Sequence, residues 1–242
     1  MIALAQSSGL GALVSLLYPP VCTICGANIR AGAYLCDHCE GKAIRIVAPF
    51  CQKCTEPFEG AITGAFTCAN CAHRTIHYDA AVAAYRSRGI VREIIHDFKY
   101  GRQIYLSHLV ERWLRAALDD ERLRGRRLDV IVPVPLHPTR QRERGFNQAS
   151  LLAKLLSTEI SVPSKPLLER IRYTTTQTAL DRAERIENLR NAFRLRKTAN
   201  VRDLRVLLID DVLTTGSTLS ECARVLKRAG AISVHAATAA RA

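Results

Sequence analysis

From residue 78 onward, apolar and polar positions alternate with two periods, and each period predicts one kind of element. Short continuous apolar runs, such as the one in LDVIVPVPLHP, are typical of parallel strands covered on both faces. Apolar residues spaced three and four apart, as in GIVREIIHDFKY, predict helices. The predicted strands cover residues 78–86, 128–138, 205–211 and 231–238, and the predicted helices cover residues 89–100, 103–118, 146–158, 181–190 and 217–229. Such alternation indicates a doubly wound α/β domain with a mainly parallel sheet.

Eight of the nine cysteines form four Cys-x-x-Cys pairs, Cys22/Cys25, Cys36/Cys39, Cys51/Cys54 and Cys68/Cys71. Each pair can bring two sulfurs to one ion, and zinc binds four thiolates tetrahedrally, so we predict two zinc ions. The order of the pairs favours two sequential sites, although interleaved sites also fit. The alternatives are an iron–sulfur cluster and a disulfide framework, which is typical of small secreted domains.

A zinc ion with four sulfur ligands has no open position for substrate, so the predicted sites are structural. We therefore expect two domains, an N-terminal helix plus zinc module over residues 1–75 and an α/β domain over residues 76–242. His38 and His73 lie beside the cysteines and are interpreted as bystanders. Cys222, alone in a helical pattern, is interpreted as a buried apolar residue. A redox sensor is the competing hypothesis for the cysteine module.

The first twenty residues carry no charged side chain, and their leucines at helical spacing predict a short amphipathic helix that packs on the body. They have no basic start and no small-residue cleavage pattern, so we expect no signal peptide. No apolar stretch reaches the roughly 20 residues that span a membrane. The sequence therefore predicts a cytoplasmic protein.

The formal net charge is +13 over 242 residues, which favours phosphorylated or polyanionic partners. The excess falls to about +9 if eight thiolates hold two zinc ions. Aromatic residues make up only 6% of the chain and are scattered, which argues against a dedicated surface for stacking bases.

Residues 206–219, VLLIDDVLTTGSTL, join an apolar strand to a helix through two aspartates and a loop of threonine, glycine and serine. Ligands of open α/β sheets bind at the carboxyl ends of strands. A glycine lets the backbone come close to a phosphate, and the free backbone N–H groups at the start of a helix donate hydrogen bonds to it. Carboxylates accept hydrogen bonds from a ribose diol or approach a metal ion. The alternative is an aspartate pair that only caps the turn.

The whole string resembles the 5-phosphoribosyl-1-diphosphate (PRPP) binding motif of type I phosphoribosyltransferases. IVPVPLHPTRQRERGFNQASLLAKLL, FKYGR, TQTALDRAERIENLRNAF and the four cysteine pairs together resemble the ComF family, also called competence protein F. That resemblance covers nearly the whole chain. It implies a double zinc module joined to a phosphoribosyltransferase-like domain, and a role in DNA uptake during natural transformation.

The resemblance also assigns roles to residues. Asp210 and Asp211 match the acidic pair that holds the ribose of PRPP and would stabilise positive charge on the sugar during catalysis. The matched 5-phosphate loop comprises Thr214, Thr215, Gly216, Ser217 and Thr218. The loop from His137 to Arg144 stands where this fold contacts diphosphate, and the candidate residues for that contact are Lys99, Arg140, Arg142 and Arg144. The alternative for each arginine is an exposed basic turn.

Residues 172–190 correspond to the mobile loop that closes over the sugar in related enzymes, with Gln177, Arg182 and Arg185 as polar candidates; a solvated surface helix is the alternative. The implied reaction transfers phosphoribosyl from PRPP, with magnesium, to an unidentified nitrogen acceptor. The competing hypothesis is a non-catalytic accessory protein that uses the site for nucleotide or phosphate, with single-stranded DNA or a DNA-uptake helicase as partner.

Overall fold

The computed structural model describes residues 19–60, 62, 64–173 and 189–242. The predicted N-terminal amphipathic helix lies outside these residues, as do residues 181–188 of the helix predicted over 181–190. The chain divides into two compact units, residues 1–44 and 45–242. In the first unit, helix α1 spans Asp37–Glu40, and the sulfur of Cys36 caps it by accepting from the backbone N–H of Cys39.

The second unit contains a parallel sheet, its helices and a short antiparallel ribbon. Its helices are α2 Ala69–Ala72, α3 Gly89–Tyr100, α4 Ser107–Ala116, α5 Pro138–Arg144, α6 Gln148–Ile160 and α7 Ser217–Arg228. Its strands are β1 Ala81–Arg86, β2 Val130–Pro133, β3 Leu168–Arg170, β4 Phe193–Leu195, β5 Arg205–Leu213 and β6 Ser233–Arg241. Within the described residues, no helix combines the length and apolar composition needed to cross a bilayer.

The main sheet has the order β1-β6-β5-β2, and all three strand pairs are parallel. The helices α4 and α6 contact each other and pack on β6 and β5 respectively. The residues Val206 and Leu208 of β5 face the other way, into a core shared with Cys222 of α7. Helices therefore cover both faces of the sheet, which confirms the predicted doubly wound α/β fold.

Strand β6 lies between β1 and β5 and is almost entirely buried. Its sequence SVHAATAAR places small side chains along the middle of the sheet. Ala236, Ala237, Ala239 and Ala240 are all fully buried. These methyl groups leave room for the helical layers to approach the sheet on both sides.

The segment from Cys51 to Tyr78, which we call the second ribbon, belongs to the same unit as the sheet. Its four cysteines and Tyr78 join the hydrophobic core that contains β5 and α7. Arg122 ties it further, since its guanidinium donates to the carbonyls of Cys51 and Gln52 and pairs with Asp120 at 2.6 Å. The predicted domain boundary at residues 75/76 stays a prediction.

Several predicted elements need correction. The stretch from His137 to Arg144, predicted as a loop, is helix α5, because Pro138 opens it and Gly145 closes it in the left-handed conformation at φ 81°. The helix predicted over 103–118 has single 3₁₀ turns at both ends, at Ile104–Leu106 and Ala117–Asp119. The antiparallel ribbon of β3 and β4 was not predicted at all.

Candidate functional site

Strand β5 carries the two adjacent aspartates near its carboxyl end, three and two residues before its last residue, Leu213. Asp210 is half-buried, and its Oδ1 accepts from the backbone N–H of Asp211 at 2.9 Å. Asp211 is only 5% exposed, and its Oδ1 accepts from the N–H of Val212 at 3.0 Å. These local bonds fix both carboxylates at the carboxyl end of the strand.

Lys99, in the last turn of α3, neutralises one of the two acids. Its Nζ lies 2.6 Å from Oδ2 of Asp211, and both side chains are mostly buried. The apolar face of α3, which includes the fully buried Phe98, holds the helix against the body and so aims Lys99 at the end of β5. Lys99, a candidate for contact with the diphosphate, thus forms an ion pair with Asp211 within the site.

Burial shifts the pKa values of one acid and one base of this site toward neutral pH. It raises the pKa of Asp210 to about 6, and the positive charges of Lys99, Arg144 and Arg170 oppose the rise. Burial likewise lowers the pKa of Lys99 to about 8, against the charge of Asp210. A group with such a shifted pKa in a concave site is a candidate for function.

The loop that follows β5 leads directly into α7. Gly216 is the N-cap of this helix and has φ 74°, a left-handed conformation that suits glycine. A Cβ at this position would lie 2.7 Å from the hydroxyl oxygen of Tyr78, so only glycine fits the space. Helix α7 begins at Ser217, whose backbone N–H donates to Oγ1 of Thr215 at 3.3 Å. The other N–H groups of this first turn have no acceptor four residues earlier in the helix. The loop therefore has the form of an anion-binding turn.

The hydroxyl groups of the loop divide into two sets. Those of Thr215 and Ser217 are 2.9 Å apart and bond to each other, so they hold the loop together. Thr214 and Thr218, in contrast, line a cavity with Gly216 and Ser217. The cavity lining does not include Thr215, so the five predicted residues do not all present their side chains to a ligand.

The cavity has a volume of about 230 Å³ and brings together most of the predicted site. Both aspartates line it, together with Lys99 and Arg144. The remaining side of its wall comes from the segment after β2 and from the start of α6, and the lining residues there are Val134, Pro135, Leu136, Asn147, Gln148 and Ala149. The residues of the acidic pair, the phosphate loop and the basic group thus face one space.

The predicted arginines of α5 differ in position. Arg144 lies at the cavity, where its guanidinium donates to Gln148 Oε1 at 3.0 Å and to the hydroxyl of Tyr100 at 2.9 Å. Arg140 is not part of that wall, but lines an adjoining cavity of about 150 Å³ that also contains Lys99 and Arg144. Arg142 is exposed. Helical geometry explains the difference, since Arg140 and Arg144 are four residues apart and share a face that Arg142 does not.

Two further findings concern residues that sequence reasoning did not assign or left open. Arg170 of β3 lines the cavity, and its charge acts on Asp210; no motif marked it, because β3 is only three residues long. Asn147 caps α6, with Oδ1 accepting from the N–H of Ala149 at 3.0 Å. The candidates Gln177, Arg182 and Arg185 lie outside the described residues.

The cysteines form two separate clusters, Cys22/Cys25/Cys36/Cys39 and Cys51/Cys54/Cys68/Cys71. A tetrahedral zinc ion with bonds of about 2.3 Å places its sulfur ligands roughly 3.8 Å apart. The sulfurs of Cys25 and Cys36 are 3.7 Å apart and those of Cys54 and Cys68 are 3.6 Å apart, so the donor sets fit. The predicted sequential arrangement is confirmed, and Cys222 is fully buried as predicted.

Two known protein families match separate parts of the chain. Residues 13–72 match the double zinc ribbon domain family, and residues 145–242 match the phosphoribosyl transferase domain family. The two clusters are therefore structural zinc sites of a double zinc ribbon. Among solved structures, adenine phosphoribosyltransferase from Thermoanaerobacter pseudethanolicus is 20% identical with a TM-score of 0.35, over 57% of this chain and 70% of that chain.

Related proteins align with almost the whole length of the chain. Competence protein F of Haemophilus influenzae is 34% identical over 214 residues, which are 86% of this chain and 91% of that protein. The DNA utilization protein YhgH of Escherichia coli K12 is 32% identical over 224 residues, 91% of this chain and 96% of that protein. At this identity and coverage, the chain belongs to the ComF (competence protein F) family, with an N-terminal double zinc ribbon and a phosphoribosyltransferase-like α/β domain.

Proposed function

We propose that the protein binds PRPP, with magnesium, in the cavity at the end of β5, and that it transfers the phosphoribosyl group to a nitrogen acceptor. One observation carries this proposal: the acidic pair Asp210 and Asp211, the loop before α7 and a cluster of basic side chains line a single cavity of about 230 Å³. PRPP combines a ribose diol, a 5-phosphate and a 1-diphosphate, and the three groups of residues offer a partner for each.

The 5-phosphate is assigned to the loop from Thr214 to Thr218. The N–H groups of the first turn of α7 and the positive end of its dipole favour an anion there. Thr214 and Thr218 add hydroxyl donors from the cavity wall. The ribose hydroxyls are assigned to Asp210 and Asp211, which can accept hydrogen bonds from them and stabilise positive charge that develops on the sugar.

The diphosphate is assigned to the basic side of the cavity. Lys99, Arg144 and Arg170 line it. Arg102 and Arg140 line the adjoining cavity, together with one acid, Glu143. Arginine suits this task because its planar guanidinium binds phosphate oxygens in pairs. Magnesium bound with the ligand would neutralise charge on the diphosphate, and Asp210 is the acid free to approach it, since Asp211 already pairs with Lys99.

In the proposed reaction, the C1–O bond to the diphosphate breaks and a C1–N bond to the acceptor forms. The diphosphate leaves with the electron pair of the broken bond, and the acceptor nitrogen supplies the new pair and releases a proton. Exclusion of water matters because a ribosyl cation would otherwise be hydrolysed. The acceptor class is to be found by measuring diphosphate release with nucleobases, amines and single-stranded DNA.

Calorimetric titration with PRPP tests the binding site directly. We expect binding that requires magnesium and disappears in the double variant Asp210→Asn/Asp211→Asn. The matched control is Asp119→Asn, which makes the same chemical change at an exposed position outside the cavity and should leave the affinity unchanged. Equal affinity of the double variant and the unmodified protein would contradict the assignment.

The names of the relatives, competence protein F and DNA utilization protein, support a second part of the proposal, a role in handling incoming DNA. We place that role in the cytoplasm, where reducing conditions keep cysteine thiols available to zinc. The formal charge of +13 is suited to single-stranded DNA or to a DNA-bound helicase as partner. Filter binding of single-stranded DNA should show affinity that falls steeply with salt; no binding at low salt would refute a direct contact.

A further inference from the structure

The second ribbon contacts the phosphate loop from behind through several polar groups. Asn70, between two cysteines of the second cluster, donates from Nδ2 to the carbonyl oxygen of Thr215 at 3.2 Å. Arg74 donates to the same carbonyl and, at 3.0 Å, to the hydroxyl oxygen of Ser217. Two side chains of the ribbon thus hold one peptide group of the loop.

Two further contacts join the second ribbon to the loop and to α7. The backbone N–H of His77 donates to the hydroxyl of Ser220, in the first turn of α7, at 3.1 Å. Tyr78 is 1% exposed, and its hydroxyl occupies the space that a side chain at Gly216 would need. The second ribbon therefore contacts the loop at Thr215, Gly216 and Ser217, and α7 at Ser220.

These contacts determine which groups of the loop face the cavity. A carbonyl oxygen directed at a phosphate would repel it, whereas amide N–H groups attract it. Asn70 and Arg74 keep the carbonyl of Thr215 directed at the ribbon, so it cannot turn toward the ligand. The guanidinium of Arg74 also places a positive charge behind the loop, on the side away from the cavity.

The position of Asn70 depends on the second cluster. Helix α2 is four residues long, and a helix of that length is not stable alone. It is bounded by Cys68, its N-cap, and contains Cys71, and both are ligands of the cluster. Coordination of these two sulfurs by one ion would fix the turn that presents Asn70, and Arg74 follows Cys71 by three residues.

We propose that the second zinc site is a supporting part of the phosphate loop, and that Asn70 and Arg74 are positioning residues through which it shapes that loop. The proposal rests on the proposed function only in naming PRPP as the ligand. It predicts that the loss of zinc from the second cluster disorders the loop, whereas the loss of zinc from the first cluster leaves the loop unchanged.

The test uses full-length Arg74→Ala and Asn70→Ala, with Arg30→Ala as the matched control at an exposed position in the other unit. Both ribbon variants should retain two zinc ions by metal analysis and show faster amide hydrogen exchange over residues 214–218. Arg74→Ala should weaken PRPP binding by about 10- to 100-fold, as expected when a charged hydrogen-bond donor is removed. Arg74→Lys should recover part of the affinity, because lysine can reach one acceptor but lacks the guanidinium fork.

Zinc itself is tested with Cys71→Ser and Cys25→Ser, which each remove one ligand from one cluster. Only Cys71→Ser should speed exchange in the loop. Unchanged exchange over residues 214–218 in both Arg74→Ala and Asn70→Ala would overturn the inference, whatever the ligand proves to be. If the unmodified protein does not bind PRPP, the proposed function fails, and the exchange measurement still decides the role of the ribbon.

Discussion

The two adjacent aspartates should respond to the same substitution with opposite changes in stability. Burial raises the pKa of Asp210 from 3.8 to about 6, so its charged form is unfavourable in the folded protein. A shift of roughly two units corresponds to about 3 kcal/mol at most, since one unit is worth about 1.4 kcal/mol. Asn has the same shape, carries no charge and can still accept from the N–H of Asp211.

Asp210→Asn should therefore raise the free energy of unfolding at pH 7.5 by about 1–3 kcal/mol. The sign follows from linkage. A carboxyl whose folded pKa is raised contributes its full stability below the unfolded value of 3.8 and loses it as the pH rises through about 6. The advantage of the variant should consequently shrink to about half at pH 5, because the wild-type carboxyl is then largely protonated in the folded state.

Asp211→Asn is the matched control with the opposite sign. It removes the partner of Lys99, whose Nζ lies 2.6 Å from the carboxylate, and leaves a mostly buried amine. Burial already lowers the pKa of Lys99 to about 8, and loss of the partner charge should lower this pKa further. A larger share of the amine is then neutral near pH 7.5, which limits the cost. We expect a loss of about 1–3 kcal/mol, smaller than for a buried charge that cannot be neutralised.

Urea denaturation of the zinc-loaded protein between pH 5 and pH 8 measures both variants. The reasoning about burial would be refuted if Asp210→Asn were less stable than the wild type at pH 7.5, or if its advantage did not decrease toward pH 5. The same variant should lose PRPP binding. Stability gained with function lost is the expected pattern for a charged group held in a binding site.

Two further predictions concern the supports of the site. Gly216→Ala should lower the free energy of unfolding by about 1–3 kcal/mol, because residue 216 has a positive φ and the added Cβ clashes with Tyr78, and it should abolish PRPP binding. Adding Tyr78→Phe to this variant should recover the part of the loss that comes from the clash. If thermal melts show no recovery, the clash does not cause the loss. Arg122→Ala should cost about 3 kcal/mol by leaving the part-buried Asp120 unpaired. The Arg122 guanidinium helps to hold the pKa of Asp120 below its usual value, so the stabilisation from this ion pair is present at neutral pH and decreases at acid pH. If denaturation curves show the same loss of stability at every pH, the ion pair is not its cause.

The sequence predicted best those elements that are defined by local pattern. Helix α3 was predicted to the residue, because its apolar face runs from Ile90 to Phe98 and Gly101 closes it. The parallel direction of the main strands followed from their alternation with helices, but their order in the sheet did not. Helix α5 was missed, since a run of arginine after proline is equally typical of an exposed turn.

Contacts between distant segments were beyond reach. Arg170 reaches the cavity from β3, which pairs with β4 more than twenty residues later, and neither three-residue strand has a periodic pattern. The bond from Arg74 to Thr215 joins residues 141 positions apart. The motif marked residues 214–218 as a candidate phosphate loop, but only the packing of the second ribbon on α7 revealed what supports that loop.

The four buried alanines of β6 limit the substitutions that this domain can accept. Because the side chains at positions 236, 237, 239 and 240 are fully enclosed, adding even two or three carbon atoms there would force the helical layers apart. The rim of the cavity, where Thr214 is exposed, has no such restriction. Adaptation to a new ligand should therefore proceed through the rim, while the sheet beneath it stays unchanged.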